Sequence, residues 1–133
     1  MTLKAIANKL FVIYLLDWSA LNEVEQEMMQ QELNSIIQRF VEKAGQENSI
    51  FKLKEMIEYY DKANFFLPVQ CIISLYQRLI FLTQSEDFNN YLDFAKYLRL
   101  YGSDWYAVAD EIKSLIELDE IEEAYKIVME IRG

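Results

Sequence analysis

Carboxylates are the one reactive side chain this sequence holds in quantity: 22 aspartates and glutamates stand against 13 lysines and arginines, with no histidine. The missing imidazole removes the commonest general base, the histidine-assisted serine and cysteine nucleophiles, and the commonest metal ligand. Carboxylate-bridged di-iron bundles need paired Glu-x-x-His motifs and are excluded with it. A lone cysteine cannot build a zinc site of the usual kind, and three scattered glycines cannot form a phosphate-cradling loop or a dinucleotide fingerprint. What remains is chemistry by two acids, as in glycoside hydrolysis. Asp104, Asp110 and Glu111 are the candidates, yet Asp110 and Glu111 fall opposite the Trp105/Ile112 stripe and read as solvated. The expectation is a chain without catalytic residues, metal or cofactor.

Acids that do not react can still bind. The formal net charge is −9, and the stretch from Gly102 to Gly133 holds nine acidic and three basic residues, a net −6 of that total. Its densest part is Glu117, Asp119, Glu120, Glu122 and Glu123. Carboxylates in a first helical turn favour the helix dipole, which accounts structurally for Asp119 and Glu122. Glu117, Glu120 and Glu123 are left over and could meet a basic surface. Glu23, Glu25 and Glu27 form a second cluster with the same two readings, solvated face or partner site. Nucleic acid and anionic membranes are disfavoured partners, because nothing basic is concentrated enough to neutralise phosphates. A basic protein is favoured.

Aromatic and apolar residues are the other candidate anchors, at 14% and 53% of the chain. The fifth helical segment carries Phe88, Tyr91, Leu92, Ala95 and Leu98 on one face and Phe94, Tyr97 and Tyr101 on another. Tyr97, Tyr101 and the nearby Tyr106 are therefore taken, with Glu117, Asp119, Glu120 and Glu123, as the partner-binding set, since surface tyrosines are typical interface anchors. The first segment adds Val12, Leu15, Leu16 and Trp18 beyond its main face of Leu3, Ile6, Leu10, Ile13 and Tyr14. A homodimer through the first or fifth helix would use this surplus directly. The Tyr59-Tyr60 and Phe65-Phe66 pairs either line a groove or plug one end of the fold.

The elements that must position these residues are helices. One proline and three glycines are too few for the turns of an all-β chain. Seven segments follow the 3.6-residue period. The first runs from Leu3 to Trp18. The second, Asn22 to Ala44, opens on a capping box of Asn22 and Glu25, ends at Gly45, and has the stripe Val24, Met28, Leu33, Ile36, Ile37, Phe40, Val41 and Ala44. The third spans Ser49 to Ala63, with Ile50, Leu53, Ile57 and Tyr60 on one side, and breaks at Asn64 to Pro68. The fourth, Pro68 to Gln84, is apolar almost all round with Arg78 its only charge, which places it at the centre of a bundle. Ser85, Ser103 and Asp119 are expected to cap the last three, with Glu122 completing a capping box. Cys71, set in Val69–Ile73, reads as a small core hydrophobe.

The stretch Leu115 to Tyr125 resembles the inter-helix turn of a tetratricopeptide-like hairpin. It covers one hairpin, and no second copy recurs at a fixed spacing. No Gly/Ser/Pro-rich linker divides the chain, so residues 1–133 read as one domain. The expected architecture is an all-α, compact bundle of six to seven helices with a C-terminal amphipathic hairpin. No apolar run is long enough to span a bilayer and Met1-Thr2-Leu3-Lys4 opens no cleavable leader, giving a cytoplasmic reading.

Two functions stay open. The first is a small acidic inhibitor that neutralises a basic partner, as immunity proteins and antitoxins do for nuclease toxins. The second is a helical-repeat-like adaptor or chaperone holding a peptide or helix in an aromatic groove.

Overall fold

Helix termini, more than helix interiors, decide how this chain is laid out. The computed structural model describes residues 1–62, 67–84 and 86–132. Within them lie seven α-helices and no strand: α1 (Leu3–Tyr14), α2 (Glu23–Ala44), α3 (Ile50–Lys62), α4 (Val69–Thr83), α5 (Asn89–Arg99), α6 (Tyr106–Glu117) and α7 (Ile121–Glu130). The expected Ser85 cap, the Asn64–Phe66 part of the break and the Phe65-Phe66 pair lie outside the described residues.

α1 stops four residues earlier than its apolar pattern suggests. Asp17 accepts a hydrogen bond from the Ser19 amide at 3.2 Å and opens a separate 3-10 turn at Trp18–Ala20. A short carboxylate satisfies free amides better at a cap than inside a helix, so it wins over the apolar periodicity. Trp18 then turns back, its indole N–H donating at 3.1 Å to the Ile13 carbonyl, which also accepts from the Leu16 amide at 3.2 Å. Gln26 fastens the connection by donating to the Trp18 and Leu21 carbonyls at 2.9 and 3.1 Å. The capping box of Asn22 and Glu25 at the start of α2 is present as expected.

Two expected caps are corrected. Asp119 does not cap α7; it terminates α6. Its φ is +60°, its amide donates to the Ile116 carbonyl at 3.1 Å, and the Glu120 amide donates to the Leu115 carbonyl at 2.8 Å. That pair of bonds is a Schellman closure, in which the residue past the helix end turns left-handed to reach carbonyls the helix leaves unpaired. α7 consequently starts from Glu120 without a side-chain cap, and Glu122 has no cap to complete. Ser103 likewise does not cap α6. It opens a 3-10 turn, Ser103–Trp105, after Gly102, whose φ of +119° suits a residue without a Cβ.

α4 is the axis of the bundle and packs against α2, α3, α5 and α7. Nine of its residues are buried, Cys71 among them, and burial pushes the Cys71 thiol up to about 12. Two of its long polar side chains reach outward to satisfy backbone elsewhere. Gln77 donates to the Val128 and Ile131 carbonyls at 2.8 and 3.0 Å, holding the end of α7. Arg78 donates to the Glu47 carbonyl at 2.7 Å and to Asn48 Oδ1 at 2.6 Å, holding the α2–α3 connection. α1 lies on α2, and α5, α6 and α7 pack in chain order, so the C-terminal hairpin forms as expected. No helix among the described residues is long and apolar enough to cross a membrane.

Apolar stripes were not all consumed by this core. Val24, Met28 and Ile50, expected on inner faces, are exposed at 67%, 62% and 38%. Leu33, Ile36 and Phe40 already fill the side of α2 that meets its neighbours, and Val24 and Met28 fall beyond the edge of that arc.

Candidate functional site

α3 and α5 flank α4 and leave a notch between them. Leu53, Met56, Ile57 and Tyr60 anchor the inner face of α3, which turns Lys54, Glu58 and Asp61 toward its flank at three- and four-residue spacing. On α5, Tyr91, Phe94, Ala95 and Leu98 are buried, and Asn89, Asp93, Lys96 and Tyr97 edge the same notch. Two cavities of about 300 and 280 Å³ share Ile57, Glu58, Tyr76 and Asp93, so they form one elongated depression. Four carboxylates, Glu58, Asp61, Asp87 and Asp93, face two lysines there. Lys54 is spent on Asp87 at 3.6 Å.

The floor is aromatic. Tyr76 of α4 stacks on Phe94 with ring centroids 5.2 Å apart and tilts against Tyr97 at 5.7 Å. Its ring is 3% exposed, its hydroxyl has no hydrogen-bond partner among the described residues, and that oxygen is not sealed off. Burial, then the fields of Tyr97, Asp93 and Asp61, raises the Tyr76 hydroxyl above the ordinary tyrosine range. Tyr97 is pushed up to about 12 by burial, by the neighbouring Asp61 carboxylate, and by the fields of Asp93 and Glu58. The same negative field that opposes a tyrosinate favours a cation. Carboxylates around tyrosine rings can take a guanidinium or ammonium by charge-assisted hydrogen bonds and by its attraction to a ring face.

The residues singled out from sequence fall on more than one surface. Tyr97 is part of the notch. Tyr101 donates its hydroxyl to the Leu67 carbonyl, and its acidity is lowered mainly by burial. Tyr106 is 42% exposed beneath the Arg99 guanidinium, 4.3 Å from the ring centroid, and Arg99 pairs with Asp110 at 2.6 Å. Glu117, Asp119, Glu120, Glu122 and Glu123 are exposed around the α6–α7 turn, with Glu123 3.5 Å from Lys126. Tyr106 and Glu117 mark opposite ends of α6, separated by about 16 Å of helical rise. The structure therefore divides these residues between a tyrosine-bearing end and an acidic end.

Glu58, Asp61, Asp93 and Tyr76 were not anticipated. Glu58 with Asp61, and Asp93 with Tyr97, show helical spacing within their own segments. Only the placement of α3 and α5 on either side of α4 makes them one site.

A second depression, of about 490 Å³, lies between α1 and α2 and is lined by Val12, Ile13, Leu16, Met29 and Ile36, with Asn8, Lys9 and Glu32 at its rim. Among the described residues no group of three or more acidic, cysteine or histidine side chains is arranged to hold a metal ion. Compared with family models, with curated proteins and with solved structures, the chain matches none.

Proposed function

We propose that this chain is a non-catalytic protein-binding domain that neutralises a basic partner, such as a nuclease toxin, in the manner of a small immunity-type inhibitor. The observation that carries this reading is the α3/α5 notch. Carboxylates from two helices surround a tyrosine floor made by the buried ring of Tyr76 and by Tyr97. A lysine or arginine of the partner enters the notch and is held by Glu58, Asp61 and Asp93. The exposed acids of the α6–α7 turn extend the negative field that draws the partner in. A nuclease must present positive charge to bind phosphates, so an acidic inhibitor meets it with steering as well as contact.

The test is affinity capture from the native host lysate by the wild-type chain and by Glu58→Lys/Asp93→Lys, at low and high salt. The reading expects a basic protein held by the wild type at low salt, released at high salt, and not held by the variant. Reversal at Glu120 and Glu123 should slow association without abolishing it, as expected for charges outside the contact. A partner retained equally by the notch variant and at high salt overturns the reading and shifts attention to an adaptor that binds through apolar contacts.

A further inference from the structure

The second half of α1 is apolar on its outer as well as its inner side. Leu10 and Ile13 are buried, while Phe11, Val12, Leu15 and Leu16 are 37%, 59%, 68% and 41% exposed. A helix apolar all round is normally covered on every side. Its neighbour α2 continues the same surface with Met28, 62% exposed, and Met29 beside the groove. α1 and α2 run antiparallel, since Lys9 and Ile36 share the groove with Leu16 and Met29, and Leu3 and Lys4 lie near Lys43 in another cavity.

The charges on this face point to one occupant. Glu32 and Arg39 are exposed, seven residues apart, and so lie on one stripe of α2; neither has an ion-pair partner among the described residues. The same side of α2 carries acidic Glu25 in its first turn and basic Lys43 in its last, about five full helical turns apart. Reversing the helix therefore exchanges one sign for the other. A surface complementary to its own reverse is what an isologous two-fold contact requires. Most of the remaining surface carries the excess that brings the chain to −9 and repels a second copy, whereas this face holds both signs around an apolar centre.

We propose that the α1/α2 face is the seat of a second copy of this chain, packed with its α2 antiparallel across a two-fold axis. The axis lies midway between Glu32 and Arg39, giving two reciprocal Glu32–Arg39 ion pairs, with Val12, Leu16, Met28 and Met29 of both copies closed between them. α2 is about 33 Å long and α1 about 18 Å, each roughly 10 Å wide. That is on the order of 500 Å² per copy, which reaches the ~1,000 Å² total of a specific interface.

Sedimentation equilibrium of the intact chain from about 1 to 100 µM tests it, because a dimer must answer to concentration by mass action. The expected result is a wild-type dimer and a monomeric Val12→Glu variant whose circular dichroism and melting are unchanged at low concentration. Arg39→Glu sets glutamate against Glu32 of the second copy and should weaken association at least tenfold. The double variant Glu32→Arg/Arg39→Glu restores the pairs with their signs exchanged and should recover most of it. A wild type monomeric throughout, or a dimer indifferent to Val12→Glu, overturns the proposal and leaves the face to a different protein. Failure of the double variant to recover overturns the two-fold register.

Discussion

Removing an atom from the core should make this protein more stable at one position. The Tyr91 side chain is fully buried on α5, and its hydroxyl is the one buried side-chain polar atom among the described residues with no hydrogen-bond partner. Leaving such a group unpaired costs about 1–3 kcal/mol of lost hydration. Tyr91→Phe keeps the ring in place and deletes only the oxygen. The void is roughly 15 Å³, which at about 24 cal/mol per Å³ returns a penalty of only about 0.4 kcal/mol. The net expectation is a gain of about 1–2 kcal/mol. For a chain of this length each kcal/mol moves the midpoint by about 3–5 °C, so Tm should rise by roughly 3–10 °C. Urea unfolding followed at 222 nm and calorimetry both read the change, and an unaltered m-value shows that it belongs to the folded state. A loss of stability beyond about 1 kcal/mol would refute the reasoning, because it requires that the hydroxyl gain more in the fold than it loses from water.

Four further outcomes follow from the same geometry. Gly45→Ala should be neutral or stabilising by up to about 1 kcal/mol, because φ is −65° and an added Cβ meets only ordinary 3.5 Å contacts. Gly102→Ala, at φ +119°, should cost about 1–3 kcal/mol in the same urea assay. Asp119→Gly should add up to about 1 kcal/mol by relieving the left-handed backbone of the Schellman turn, and a loss would mean the carboxylate holds the turn itself. For alkaline pH the sign is set by Tyr60 and Tyr97, both raised from 10 to about 12, chiefly by burial. Their protonated forms suit the fold, so stability is whole below pH 10 and falls as pH climbs toward 12, where the unfolded chain has already released these protons. Tyrosinate absorbance at 295 nm should lag behind that of the unfolded chain across this window.

Fold class was legible because helical periodicity needs only local spacing, and α4 announced its central position by having a single charge. The turns were less legible. At Asp17 and at Asp119 the pattern continues while the backbone does not. In each case a short carboxylate residue turns the chain: Asp17 through its own cap, and Asp119 by tolerating φ +60°. Asp119 followed three residues later by Glu122 has the spacing of a capping box, and only the Ile116 and Leu115 carbonyls, drawing the chain leftward, decide against it. The notch is illegible for a different reason. Its carboxylates come from α3 and α5, and its floor from α4 between them. No spacing along the chain records that these three helices enclose a common space. Exposed Val24 and Met28 show the converse, an apolar periodicity that is real and yet finds no inner surface to cover within one chain.

Neighbouring residues Gln77 and Arg78 have a consequence for how the molecule comes apart. One grips the last carbonyls of α7 and the other the α2–α3 connection, so two segments far apart in the chain are moored to consecutive positions of one helix. Fraying of α7 would strip Gln77 of both acceptors, and loosening of the connection would strip Arg78 in the middle of the fold. Neither region should behave as an independent foldon. Amide exchange in α7 and around Asn48 should slow together until both report the opening of α4 itself, as in a protein that unfolds in one concerted step.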